Sequence, residues 1–180
     1  MKRAFAAVYV AGLIVLSSST SPSQRKATGP EQRVFGAEDE SFKGPFVLPE
    51  AILNILSRDP EIPNTFGENE TPRPKRVPNS WFFASIVHLA GPDEKDVVVM
   101  GKCPVCGANV APFWVFRPAA NGYEQVMFGG GLALTVMKHR TNGYLDIRTD
   151  YVSMQKPWTD IYRFDGHKYQ RTSDENRKSE

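Results

Sequence analysis

Hydrophobic positions fall into three regimes along the chain. Ala4 to Leu16 is an apolar run broken mildly by Tyr9 and Gly12. From Ser17 to Gly44 apolar residues are sparse among Ser, Gln, Lys and Glu, the pattern of a polar lead-in over residues 20–45. A short helical signal follows. Leu48-Pro49-Glu50 opens it, with proline tolerated at a helix start because its missing N–H would have no partner there. Leu48, Ile52, Ile55 and Leu56 share one face, and Asp59-Pro60 stops the helix. So short a helix with one apolar stripe needs a surface to dock on. Pro63, Pro72, Pro74 and Pro78 predict an extended connection, so residues 46–78 read as helix and linker.

From Asn79 the period shortens to that of strands. Apolar segments over Ser80–Leu89, Asp96–Met100, Ala111–Phe116, Tyr123–Phe128, Leu132–Arg140, Tyr144–Tyr151, Asp160–Phe164 and His167–Arg171 predict about eight strands. Gly91-Pro92-Asp93, Asn121-Gly122, Gly129-Gly130-Gly131, Asn142-Gly143 and Asp165-Gly166 separate them. Asn-Gly and Asp-Gly favour the positive φ angles of tight hairpins. No crossover helix is present in the pattern. The expected fold is mainly β: an antiparallel sheet, barrel or sandwich over residues 79–170, with one short N-terminal helix and a polar tail at 171–180.

The amino terminus changes how the rest is read. Lys2 and Arg3 precede the apolar run, and Ser17, Ser18, Ser19 and Thr20 follow it. That charged, apolar, small-residue order is the pattern of a secretory signal over residues 1–19. Its apolar run, about 13 residues, is short of the ~20 that span a bilayer. The expected location is secreted or periplasmic. Of 22 basic residues two lie in this signal, so 20 remain against 20 acidic ones. A near-neutral chain lacks the basic stripe that nucleic acid binding requires. No membrane association is expected after signal cleavage.

Cys103-Pro104-Val105-Cys106-Gly107 is the sharpest local motif, and three readings stay open. An oxidising compartment favours a local disulfide between Cys103 and Cys106. The same spacing presents two thiolates to a metal, with His88, His139, His167 or a second chain completing four ligands. A redox-active dithiol is the third, although no helix follows to lower a thiol pKa. The three histidines are scattered and read as strand residues. No nucleophile elbow, carboxylate pair or phosphate loop is present, and Gly129–Gly131 reads as a turn or a close backbone contact. Eleven Phe, six Tyr and three Trp exceed what one small core accommodates. Trp158, after Pro157 in a polar stretch, is the expected exposed anchor for a protein or glycan of the envelope. Asn69-Glu70-Thr71 is a glycosylation sequon in a eukaryotic secretory pathway.

Two stretches have one shape: His88 to Asp96 followed by Val97-Val98-Val99, and Lys138 to Asp146 followed by Ile147. Each places a Gly-bearing turn after a strand and an Asp at the ninth position. This resembles a degenerate hairpin of FG-GAP or VCBS-type repeats, whose loop carboxylates hold calcium. Asp96 and Asp146 match the last Asp of that loop, and Asn142-Gly143 its central pair. His88 and Lys138 stand at the first ligand position, and Ala90 and Arg140 at the third. A cation there repels calcium, which takes six to eight oxygens. The resemblance therefore implies the hairpin without the metal. The arrangement from Trp114 to Gly166 is also similar to small uncharacterised exported bacterial proteins. Together these features predict an exported, non-enzymatic binding or inhibitor-like protein without a cofactor. The alternatives are a thiol- or metal-dependent protein using Cys103 and Cys106, or a structural envelope protein.

Overall fold

Two antiparallel sheets stack face to face, and a helix covers the outer face of one of them. The structure is a computed structural model and describes residues 31–67, 69–107, 110–152 and 157–172. The expected signal over 1–19 and the end of the expected tail, 173–180, lie outside the described residues. The strands are β1 (Val34–Gly36), β2 (Thr65–Phe66), β3 (Thr71–Pro72), β4 (Phe82–Val87), β5 (Asp96–Gly101) and β6 (Ala111–Ala119). They continue with β7 (Gly122–Gly131), β8 (Ala133–Thr141), β9 (Tyr144–Val152), β10 (Pro157–Phe164) and β11 (Tyr169–Thr172); α1 is Glu50–Leu56. One sheet has the order β4-β5-β6-β7 and the other β1-β8-β9-β10-β11, with β2-β3 a separate small hairpin. The described strands close no barrel. A sandwich is the form the mainly β expectation takes.

The four-stranded sheet is buried on both faces, and this explains the aromatic content. Val98, Met100, Phe113 and Val115 point between the sheets, where they meet Phe35, Leu134, Val136, Leu145, Ile147, Tyr162 and Phe164. Alternate residues Phe82, Val97, Val99, Trp114 and Phe116 point the other way, onto Leu48, Ile52, Leu53, Leu56, Ile62 and Val77. Every residue of β5 is buried, which is why it reads as an unbroken β-branched run rather than an alternating one. The expected aromatic surplus is thus largely absorbed by two cores. Leu53, not Ile55, completes the buried stripe of α1. Trp114 donates from Nε1 to Asp59 Oδ2 at 2.8 Å, so the residue that ends the helix also anchors it to the sheet.

Four expectations are corrected. The polar lead-in is not structureless over its last part: β1 pairs with β8, and Phe35 and Phe42 sit in the inter-sheet core. Three residues among charges carry no readable period, but burying one Phe contributes roughly 1.5–3 kcal/mol. The linker contains the β2-β3 hairpin. Gly129–Gly131 is not a hairpin turn: it is the end of β7, before the chain crosses between sheets at Leu132, whose N–H bonds Asp150 O at 2.7 Å. Arg171 lies within β11 rather than in a frayed tail. Asn142 and Gly143, at φ +50° and +84°, form the tight turn their sequence predicts.

Candidate functional site

The exposed aromatic side chain expected at position 158 belongs to a built surface. Antiparallel pairing of β9 and β10 sets Trp158 opposite Tyr151. Their rings stack with centroids 5.0 Å apart and planes 12° from parallel, a cross-strand aromatic pair that holds both rings flat. Trp158 stays 38 % exposed. Pro157 opens β10, a position where its missing N–H is tolerated; Trp158 is therefore a strand residue, not a loop residue.

Polar groups continue the same face. One step further along the register, two residues on in each strand, Thr149 stands opposite Asp160, and Arg171 of β11 stands opposite Tyr162. Arg171 Nη2 lies 2.7 Å from Asp160 Oδ1. This ion pair is the contact that Asp160 Oδ1 makes, and Thr149 meets the Tyr162 hydroxyl. The Asp160 side chain is almost wholly buried, while that of Arg171 is mostly exposed. Burial, reinforced by Tyr151 and Asp160, pushes the Tyr162 hydroxyl up to about 12, so it stays protonated. The glycines of β7 make room for this arrangement. A Cβ on Gly129 would stand 2.8 Å from Tyr162 Oη, and one on Gly131 2.8 Å from Asp150 O.

A second feature is the Cys103–Cys106 pair, between β5 and β6. The sulfurs stand 1.99 Å apart, at disulfide distance. In that state neither is a thiolate ligand, and among the described residues no group of three His, Cys, Asp or Glu is arranged to hold a metal. Both cysteines line a cleft of about 300 Å³ with Phe83, Met100, Lys102, Val110 and Leu132. Lys102 Nζ lies 4.2 Å over the Phe83 ring.

The remaining titratable groups are dispersed. Asp96 is fully buried at the start of β5; its Oδ2 accepts Leu89 N–H at 3.1 Å, and Oδ1 has no partner among the described residues. Burial is the main cause that raises it to about 6. Asp146 does not serve its own turn; its Oδ2 meets His139 Nδ1 at 2.7 Å, with Arg163 Nε at 3.7 Å. His88 Nδ1 meets Glu31 at 3.1 Å, and the His167 N–H donates to Asp165 Oδ1 at 2.8 Å. The structure brings none of the three histidines to the cysteine pair. A larger cleft of about 480 Å³ lies between the end of α1 and β7, lined by Asn54, Arg58, Asp59, Glu61, Gln125 and Phe128; the Asp59 oxygens accept from Trp114 Nε1 and the Glu61 N–H.

Tyr151, Asp160 and Arg171 carry no signal in the sequence that marks them as partners of Trp158. Their assembly depends on strand register, which a one-residue slip would reverse. No protein-family model matches the chain, and no curated protein or solved structure matches it.

Proposed function

We propose that this is an exported, non-enzymatic binding protein whose ligand is a glycan. The observation that carries the reading is the exposed, stacked Tyr151–Trp158 pair, on a face continued by the mostly exposed Arg171 that the buried Asp160 holds by an ion pair. A pyranose has the complementary make-up: a flat face of C–H bonds that packs on an aromatic ring, and a rim of hydroxyl donors. Arg171, mostly exposed and held by the buried Asp160, offers N–H donors to the hydroxyls of a sugar. Export is supported by the order of Lys2, Arg3, the apolar run to Leu16 and the small residues after it. Among the described residues no helix is long and apolar enough to cross a membrane.

The test is retention of the purified protein on insoluble peptidoglycan, chitin and cellulose. Retention on at least one is expected, and Trp158→Ala should weaken it about tenfold with an unchanged circular dichroism spectrum. No retention on any of the three, or retention indifferent to Trp158, overturns the reading.

A further inference from the structure

The Cys103–Cys106 cross-link is poorly placed to act as a structural staple. It spans a sequence separation of three, and the stabilisation from closing a loop is least for the shortest loops. Backbone hydrogen bonds already fix the same turn. Lys102 N–H donates to Trp81 O at 2.7 Å, Val105 and Cys106 N–H both donate to Lys102 O, and Gly107 N–H donates to Val110 O at 2.8 Å. Val105 is buried in the outer core and holds the turn by packing. The sulfur-bearing residues face the other way. Cys103 is exposed, Cys106 is half-buried, and both open onto the apolar cleft of Phe83, Met100, Val110 and Leu132. Lys102 and Glu38 bring one charge of each sign to the cleft.

We propose that Cys103–Cys106 is an exchangeable disulfide that accepts two electrons from a protein dithiol, whose apolar side chain docks in this cleft. Exposure decides which sulfur reacts. A thiolate of the dithiol attacks Cys103 Sγ, forming a mixed disulfide and breaking the Cys103–Cys106 bond. The electron pair leaves on Cys106 Sγ, which takes a proton from water. The second thiol of the partner, deprotonated, attacks its own sulfur in the mixed disulfide. Cys103 leaves as a thiolate and is protonated in turn. The net change is one protein disulfide reduced to two thiols and one partner dithiol oxidised to a disulfide. The proposal does not depend on the glycan reading, because it concerns different residues and a different readout.

The experiment follows thiol release by mass after alkylation, without denaturant, using dithiothreitol and a thioredoxin-type protein dithiol. Complete reduction is expected with both reagents, with the circular dichroism spectrum retained and the unfolding temperature lowered by less than about 5 °C. Val110→Asp, at an exposed position of the cleft, should slow the protein dithiol about fivefold or more while leaving dithiothreitol unaffected. Cys103→Ser with Cys106→Ser should fold and release no thiol. A bond that resists both reagents until the protein unfolds, or whose reduction unfolds it, overturns exchange and makes the bond structural. Equal rates for Val110→Asp and the parent with the protein dithiol overturn the docking role of the cleft.

Discussion

Replacing Asp96 with Asn should stabilise the protein, and only above the acid range. Asp96 is 0 % exposed and sits where the loop from His88 to Lys95 rejoins the sheet. Its surroundings do little to hold a negative charge. Burial, with the nearby Glu94 carboxylate, raises the group to about 6, against the backbone N–H groups of Leu89 and Ala90 and a weak contribution from Arg117. Tyr144 and Tyr169 also lie close, and burial pushes both hydroxyls up, so both stay neutral. The unfolded value is 3.8. The folded state therefore binds the proton more tightly. Stability associated with this group is fully present below about pH 4, declines as pH rises through 6, and is lost above it. The difference of about two units corresponds to ~3 kcal/mol, an upper figure for a real site that relaxes. Asn keeps an oxygen that accepts from Leu89 and does not ionise. The measurable quantity is the stability of Asp96→Asn minus that of the parent, from urea unfolding followed by tryptophan fluorescence at several pH values. That difference should grow in favour of the variant by roughly 2–3 kcal/mol between pH 4 and pH 7.5. Other carboxylates cancel in the subtraction. A difference that stays flat with pH, or grows in the opposite sense, refutes the reasoning.

Two further substitutions test the packing. Trp114→Phe removes the donor to Asp59 Oδ2 and leaves that oxygen of a buried carboxylate with less support; a loss of about 2–4 kcal/mol in urea unfolding is expected, and a loss under about 1 kcal/mol would show that the bond does not anchor α1. Gly129→Ala brings a methyl to 2.8 Å from Tyr162 Oη. It should cost about 1–3 kcal/mol, part of which returns when Tyr162→Phe is added; strict additivity in that double-mutant cycle would locate the strain elsewhere.

What the sequence made legible depended on how far each feature is local. The eight strands from Phe82 onward are long enough to show their period, and their turns are marked by dipeptides such as Asn142-Gly143, whose positive φ angles the structure bears out. β1 and the β2-β3 hairpin are two or three residues long, and their pairing partners, not their own patterns, make them strands. The two-sided burial of the four-stranded sheet left one trace, the unbroken β-branched run of β5. The apolar stripe of α1 showed that the helix needs a surface, but not that α1 and the segment through Val77 would cover the outer face of this sheet. Trp158 was identifiable because a Pro and polar residues surround it. Its stacking partner Tyr151 and the Asp160–Arg171 pair are set by cross-strand register and leave no local trace.

Register also brings the two proposed sites closer than their sequence positions suggest. A Cβ on Gly130 would meet Val110 Cγ1 at 3.0 Å and Tyr151 Oη at 3.7 Å, so one glycine separates a wall of the cysteine cleft from the aromatic pair. Val110 is tied back to the cysteine turn through its carbonyl, which accepts the Gly107 N–H. A shift of that turn has a short path to Tyr151, carried by backbone and close packing rather than by a chain of charges. Packed contacts of this kind transmit displacement because interiors have little free volume to absorb it. For that reason Trp158, which lies beyond Tyr151 from the cleft, is the cleaner position for testing the aromatic surface. Substitutions at Val110 act on the cleft first, but they touch the glycine that supports Tyr151. Of the two readings the sequence left for the three glycines, a turn or a close contact, the close contact holds: Gly129 and Gly130 let β7 run against Tyr162 and Tyr151, and Gly131 lets it run against Asp150.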